Sequence, residues 1–296
     1  MNLFQTKVFR QISRWIVGII SAVLLAAVIW KQDWTAIGNL VTSVRGWLIL
    51  VAGIVSMLIG QVFAALRWLT LLRIENPNYP FRNALRLTLI CAFVSTFLPT
   101  TTGGDIVRIA GLTDRSRAAG VAVVAMDRIV SLSSMVLLIP VSIPILSLPQ
   151  VKTNSFFPFL KSFLKDLEQN LITWRKHPGT LAIAFFLAIG SFASGWTCIW
   201  ILTKGLYLDV SFWQIVGASV WIYMAGLLPI AINGLGIQEV GYVYFYGLFG
   251  VAPAMAATLG LLNRLTYLLS VSSGGIWLAF SPEIAKSIQG RHESLS

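Results

Sequence analysis

Two arginines stand where an arginine is costly. Arg128 falls inside an apolar run from Ala118 to Leu148, and Arg264 inside another from Ala254 to Phe280. Counted from Arg117 and Pro253, each lies about 11 residues, roughly 16 Å, along its helix, close to mid-bilayer if the run spans one. A guanidinium facing hydrocarbon at that depth costs from about 2.5 to more than 10 kcal/mol, so each must meet a carboxylate or a wet cavity. Arginine in such a cavity attracts an anion, above all a phosphate, which matches its fork of donors. Asp127 is adjacent to Arg128, but neighbouring helical residues point about 100° apart, so Asp127 is a poor partner for it. Acids on other segments, Asp105 and Glu239, are better candidates.

Both acids follow the same kind of punctuation. Leu98-Pro99 leads through Gly103-Gly104 to Asp105 and Arg108, and Leu228-Pro229 leads through Asn233-Gly234-Leu235-Gly236 to Glu239. Each time a proline closes a short apolar helix and a glycine-rich break follows. Downstream, Met126-Asp127-Arg128-Ile129-Val130-Ser131-Leu132 aligns without gaps on Leu262-Asn263-Arg264-Leu265-Thr266-Tyr267-Leu268. The sequence thus reads as two copies of one unit, over residues 47–148 and 180–281. Broken apolar segments at matching places in two halves mark a transporter-like fold with its site at the repeat interface. The stretches 84–112 and 212–250 are expected to enter the bilayer and turn back, or to meet as half-helices. Whether the repeats are parallel or inverted is open at this level, and with it the side of the carboxy terminus.

The expected substrate-binding set is therefore Asp105, Arg108, Asp127, Arg128, Glu239 and Arg264, with Gly103, Gly104, Asn233, Gly234 and Gly236 bringing backbone N–H groups close to an anion. Simpler roles exist for several. Asp105 can cap a helix over Ile106–Leu112, with Arg108 pointing to the membrane interface. Glu239 can be held by a helix macrodipole. Arg67, near a span end, is expected to snorkel, and Asn233 and Asn263 to act as packing contacts between helices.

The elements that position these residues follow from composition. Of 296 residues, 11% are charged and 56% hydrophobic. Soluble domains carry about 25% charged residues, so this chain cannot coat a water-soluble surface. A mean hydropathy of +0.79 excludes a soluble enzyme, a disordered tail and a fibrous repeat. The fold expected is all-α: a single polytopic helical membrane domain with about 6–8 hydrophobic segments, two of them short and broken or re-entrant. Candidate runs are 15–30, 47–72, 84–98, 118–148, 181–202, 212–228, 242–251 and 254–280. The 84–98 run is about 15 residues, roughly 22 Å, short of the hydrocarbon thickness. Between the halves, residues 149–179 form an extramembrane loop in which Leu160, Phe163, Leu164, Leu167, Leu171 and Trp174 recur at amphipathic spacing.

The net charge of +11 sits in short groups between apolar runs, which is topology and implies no nucleic acid. Arg73, Arg82 and Arg86 beyond the second run put the amino terminus in the cytoplasm, with the plasma membrane as the expected location. Cys91 and Cys198 lie in apolar stretches with no metal-ligand spacing, so neither a metal nor a cofactor is implied. There is no HExxH, GxSxG or phosphate-binding P-loop motif, and an enzyme is not expected.

The strings LPTTTGGDIVR, AMDRIVSL and NGLGIQEVGYVYFYGLFGV resemble, in this order, hallmark segments of the lysylphosphatidylglycerol synthase transmembrane family, also called flippase-like. The resemblance covers about residues 10 to 282. It implies a membrane domain that moves or holds an anionic or aminoacylated phospholipid or a polyprenyl-linked lipid, with Asp105, Arg108, Asp127, Arg128 and Glu239 along the headgroup path. Family members that make lysyl lipid carry a carboxy-terminal transferase domain that this sequence lacks. The alternative is a non-catalytic accessory subunit anchoring a separately encoded glycosyltransferase or lipid synthase.

Overall fold

A computed structural model describes residues 43–97, 103–112, 114–146, 176–226 and 236–280, with Thr35, Gly38 and Thr42 besides. The expected first span at 15–30, the amphipathic pattern over 160–174 and the glycine-proline breaks at 98–102 and 227–235 lie outside the described residues. Among the described residues all regular structure is helical: α1 (Val44–Leu72), α2 (Phe81–Phe97), α3 (Gly103–Ala110), α4 (Asp114–Val136), α5 (Ile139–Ile145), α6 (Pro178–Gly205), α7 (Phe212–Gly226), α8 (Ile237–Gly247) and α9 (Pro253–Ala279). Spans long and apolar enough to cross a bilayer are Val44–Leu72, Gly120–Ile145, Pro178–Gly205 and Pro253–Ala279. The protein is a polytopic helical membrane protein.

In lipid, large apolar side chains gain nothing by turning inward, so helices associate through small residues that let backbones approach. α1 follows this rule. Val44, Leu48, Val51, Val55, Ile59 and Val62 form its exposed stripe, while Gly46, Gly53, Ser56 and Gly60 are buried. The buried stripe meets α6. A Cβ on Gly53 would lie 3.3 Å from the Cys198 sulfur, and one on Gly60 3.3 Å from both the Ser191 carbonyl oxygen and Ser194 Cβ. Two hydrogen bonds cross the seam, Ser56 Oγ to the Ser194 carbonyl at 2.7 Å and Ser191 Oγ to the Gly60 carbonyl at 3.0 Å. As residue numbers rise on α1 they fall on α6, so the two long helices are antiparallel.

α1 and α6 each open a half of the same order: long helix, short helix, short helix, long helix. Within the first half, α1 packs on α2 and α4, α2 on α3, and α3 on α4; within the second, α6 packs on α7 and α9, α7 on α8, and α8 on α9. Because the opening helices are antiparallel, the second half is inverted relative to the first, which answers what spacing alone leaves open. The halves also exchange contacts. α9 lies along α2, and α5, which continues the line of α4, lies along α7. A Cβ on Gly274 would collide with the backbone at Leu89, and Trp277 sits beneath Arg82 and Arg86, 5.8 and 5.9 Å from its ring centroid. The end of α9 therefore lies on the same side as the end of α1.

Each half has its own buried apolar cluster completed by the opposite long helix. Trp68, Leu72, Leu87, Met126 and Val130 pack with Ala184 and Ala188 of α6, while Ile215, Val220, Leu259 and Leu262 pack with Leu50 of α1. The run 118–148 is carried as one span, Gly120–Ile145, with an interruption inside it: α4 ends at Val136 and α5 restarts at Ile139. Pro140 removes a backbone donor and Pro144 a second, so the ladder cannot run through unbroken.

Candidate functional site

Each half pairs its mid-span arginine with an acid at the start of its own short helix. In the first half, α3 begins directly after the break and carries Asp105 in its first turn. From there the carboxylate reaches α4: Asp105 Oδ2 accepts from Arg128 Nη2 at 2.8 Å and from Nε at 3.0 Å. In the second half, α8 carries Glu239 in its first turn, and its Oε1 accepts from Arg264 Nε on α9. Arg264 Nη2 also donates to Gln238 Oε1 at 3.2 Å. The two pairs occupy equivalent places in the two units, and they are the pairs that the cost of arginine in lipid demands.

Gly236 explains its own identity. Its φ of 83° is in the left-handed region that glycine enters without steric cost. In that conformation its N–H donates to Glu239 Oε2 at 2.7 Å, closing the first turn of α8. Gly104 is fixed differently, since a Cβ there would overlap the Ser95 hydroxyl and the Cys91 carbonyl where α3 crosses α2. Gly103 begins α3, while Asn233 and Gly234 lie outside the described residues.

Asp127 serves neither mid-span arginine. Its Oδ1 accepts from Arg67 Nε at 2.6 Å, and its Oδ2 from Arg67 Nη2 at 3.1 Å and Arg108 Nη1 at 3.0 Å. Arg67 is therefore not a snorkelling residue: it is 7% exposed and forms a two-pronged bond to an acid on another helix. Likewise Arg108 is buried away from the membrane interface, with its guanidinium 5.6 Å from the centroid of the Trp68 ring. The signal that finds Arg67 is a charge count, because Asp127, once excluded as partner of Arg128, still requires a cation.

These charges line one cavity of about 290 Å³. Arg67, Arg108, Asp105, Asp127 and Arg128 form its charged wall, and Ser191, Tyr223, Gln238 and Tyr267 from the second half face them. Gln238 and Tyr223 are site residues that sequence reasoning missed, since neither stands out without knowing which helices converge. Three arginines against two aspartates leave a fixed charge of +1 among the described lining residues. The Arg128 side chain is 42% accessible, against 16% for Arg264, so the first pair faces open space and the second is closed. Arg108 Nε is buried with no hydrogen-bond partner, and so is the second oxygen of Asp105. A polar cavity, net positive among its described lining residues and with a spare buried donor, is suited to holding an anion in low dielectric.

Residues 14–160 and 150–275 match the family model described as the lysylphosphatidylglycerol synthase TM region. No curated protein matches the chain. An all-helical membrane domain with paired breaks, and a match over most of its length, agree on one assignment. The chain belongs to the lysylphosphatidylglycerol synthase transmembrane-region family.

Proposed function

We propose that the protein is a flippase-like transporter that binds a phosphate-bearing lipid in the charged cavity and carries its headgroup across the bilayer. The observation that supports this most is Arg128: a guanidinium on a spanning helix, held by Asp105 yet turned toward a cavity walled by both inverted halves. Inverted repeats give a route to alternating access, because exchanging the conformations of the two halves turns the same site to the other side. The protein acts without chemistry on the lipid, so it is a transporter and not an enzyme. The basic end, with Arg73, Arg82 and Arg86, faces the cytoplasm of a cell whose plasma membrane holds the protein, and the end of α9 lies on that side with it.

The test is translocation of a fluorescent phospholipid in proteoliposomes, with dithionite protection as the readout. Arg128→Ala is expected to slow it to the protein-free rate while folding is retained. An unchanged rate would remove the site assignment, and a stable complex with a glycosyltransferase in place of transport would favour the accessory-subunit reading.

A further inference from the structure

Gln238 stands next to Glu239 on α8, yet its side chain lines the cavity whose charges come from the first half. Which end of its amide faces that cavity follows from elementary chemistry. Arg264 has only donors to offer, so the group its Nη2 meets at 3.2 Å is the Gln238 carbonyl oxygen, Oε1. The amide nitrogen is thereby turned the other way. It lies over Gly226 at the end of α7, where a Cβ would come within 2.6 Å of Nε2, and Gly226 is itself part of the cavity wall. Among the described residues no acceptor is hydrogen-bonded to Nε2. The rest of the second half offers less. The Ser191 hydroxyl is taken by the Gly60 carbonyl, and Phe192 and Gly226 carry no side-chain donor. The hydroxyls of Tyr223 and Tyr267 rotate and accept as readily as they donate, whereas the Gln238 amide is held as a donor by its other end.

We propose that Gln238 is a ligand-binding residue of the charged cavity: its side-chain N–H groups donate to an oxygen of the phosphate group held there, and so tie the ligand to the pair of Glu239 and Arg264. This rests on the reading of the cavity as the anion site of a transporter and adds the residue through which the second half takes part. The contact bears on motion. A ligand shifts the balance between two arrangements only by as much as it binds them differently. Arg67, Asp105, Arg108, Asp127 and Arg128 all belong to the first half, so an anion that they alone held would be bound equally well wherever the second half stood. An amide donor on α8 makes affinity depend on the position of the second half. Being neutral, it does so without adding charge to the cavity.

The contact is read directly by nitrogen–phosphorus dipolar recoupling in solid-state NMR. The sample is the full chain with isotope-labelled glutamine and arginine side-chain nitrogen, in dodecyl maltoside, which carries no phosphorus. Phosphatidylglycerol and inorganic phosphate are offered separately. A glutamine side-chain nitrogen about 4 Å from phosphorus, as an N–H···O–P bond requires, is the expected result. Phosphatidylglycerol alone giving it makes a lipid the source, whereas inorganic phosphate giving it equally makes the source a soluble anion. Gln61 also lines the cavity, so the signal is assigned by substitution. It is expected to vanish in Gln238→Met and to survive in Gln61→Met; the reverse overturns the proposal. Gln238→Met is also expected to weaken binding about tenfold. Gln238→Glu keeps an acceptor for Arg264 but has no N–H to give, and is expected to weaken binding at least as much. Binding at the unmodified level in Gln238→Glu shows that Gln238 only supports Arg264, and the proposal falls. An arginine signal without a glutamine one in the unmodified protein overturns it too, while leaving the cavity an anion site. No signal on either removes the anion site, and the transport reading with it.

Discussion

The two halves share a helix order and one ion pair, yet differ in what surrounds that pair. The first half adds a second cluster, in which Arg67 and Arg108 grip Asp127, and leaves Arg128 open to a cavity. The second half has Asn263 where the acid would be, and its Arg264 is closed onto Glu239 and Gln238. The common pair is what any arginine in a bilayer demands; the extra cluster and the opening at Arg128 exceed that demand, and on the proposed function they are where a ligand's charge enters. The two halves share one frame, and divergence such as Asp127 against Asn263 sets their charges apart.

The sharpest way to break this comparison is to remove the acid from one half and the amide from the other. Asp127→Ala leaves two buried guanidinium groups without an anion and is expected to cost about 3–5 kcal/mol. Asn263→Ala removes a weakly satisfied amide and is expected to cost under about 1 kcal/mol. Thermal unfolding in detergent measures both, and equal losses would show that the halves do not differ. Next come the shared pairs. Glu239→Gln strands the enclosed Arg264 and is expected to cost about 3 kcal/mol, whereas Asp105→Asn leaves Arg128 able to draw on water and costs about 1 kcal/mol. Transport should order them the other way, with Asp105→Asn the more damaging. A smaller contrast tests the exchanged contacts. Gly274→Ala drives a methyl into the Leu89 backbone and is expected to cost about 1–3 kcal/mol. Gly217→Ala meets the Ile145 side chain at 3.0 Å, which can shift, and is expected to cost under about 1 kcal/mol. The smallest effect expected is Trp277→Leu, about 0.5–1 kcal/mol from its contacts with Arg82 and Arg86, read as a lower unfolding temperature.

Much of this was readable without a structure, and for a specific reason. Lipid makes an unpaired charge so expensive that Arg128 and Arg264 announce partners, and short helices ending in Gly-rich breaks say which acids can come near. Both pairs form as expected. Arg67 misleads because position near a helix end is a local property, while its partner is 60 residues away on another span. The interruption between α4 and α5 was visible in Pro140 and Pro144, but the apolar run through them reads as continuous because hydropathy does not register a missing backbone donor. Inversion of the repeat is a matter of direction, which no spacing encodes; it becomes plain only when Gly53 is seen beside Cys198 and Gly60 beside Ser191.

The contact between Gly274 and Leu89 bears on how the protein is made. Chains emerge amino terminus first, so α2 enters the membrane long before α9 exists to cover it. The charged residues of the first half do not wait in the same way, because Arg67, Asp105, Arg108, Asp127 and Arg128 all find partners on α1, α3 and α4. Charge is thus settled early within one half, while shape is settled late between halves. Biosynthesis leaves an internally paired but unclosed half in the membrane, its α2 surface bare, until the final described helix arrives.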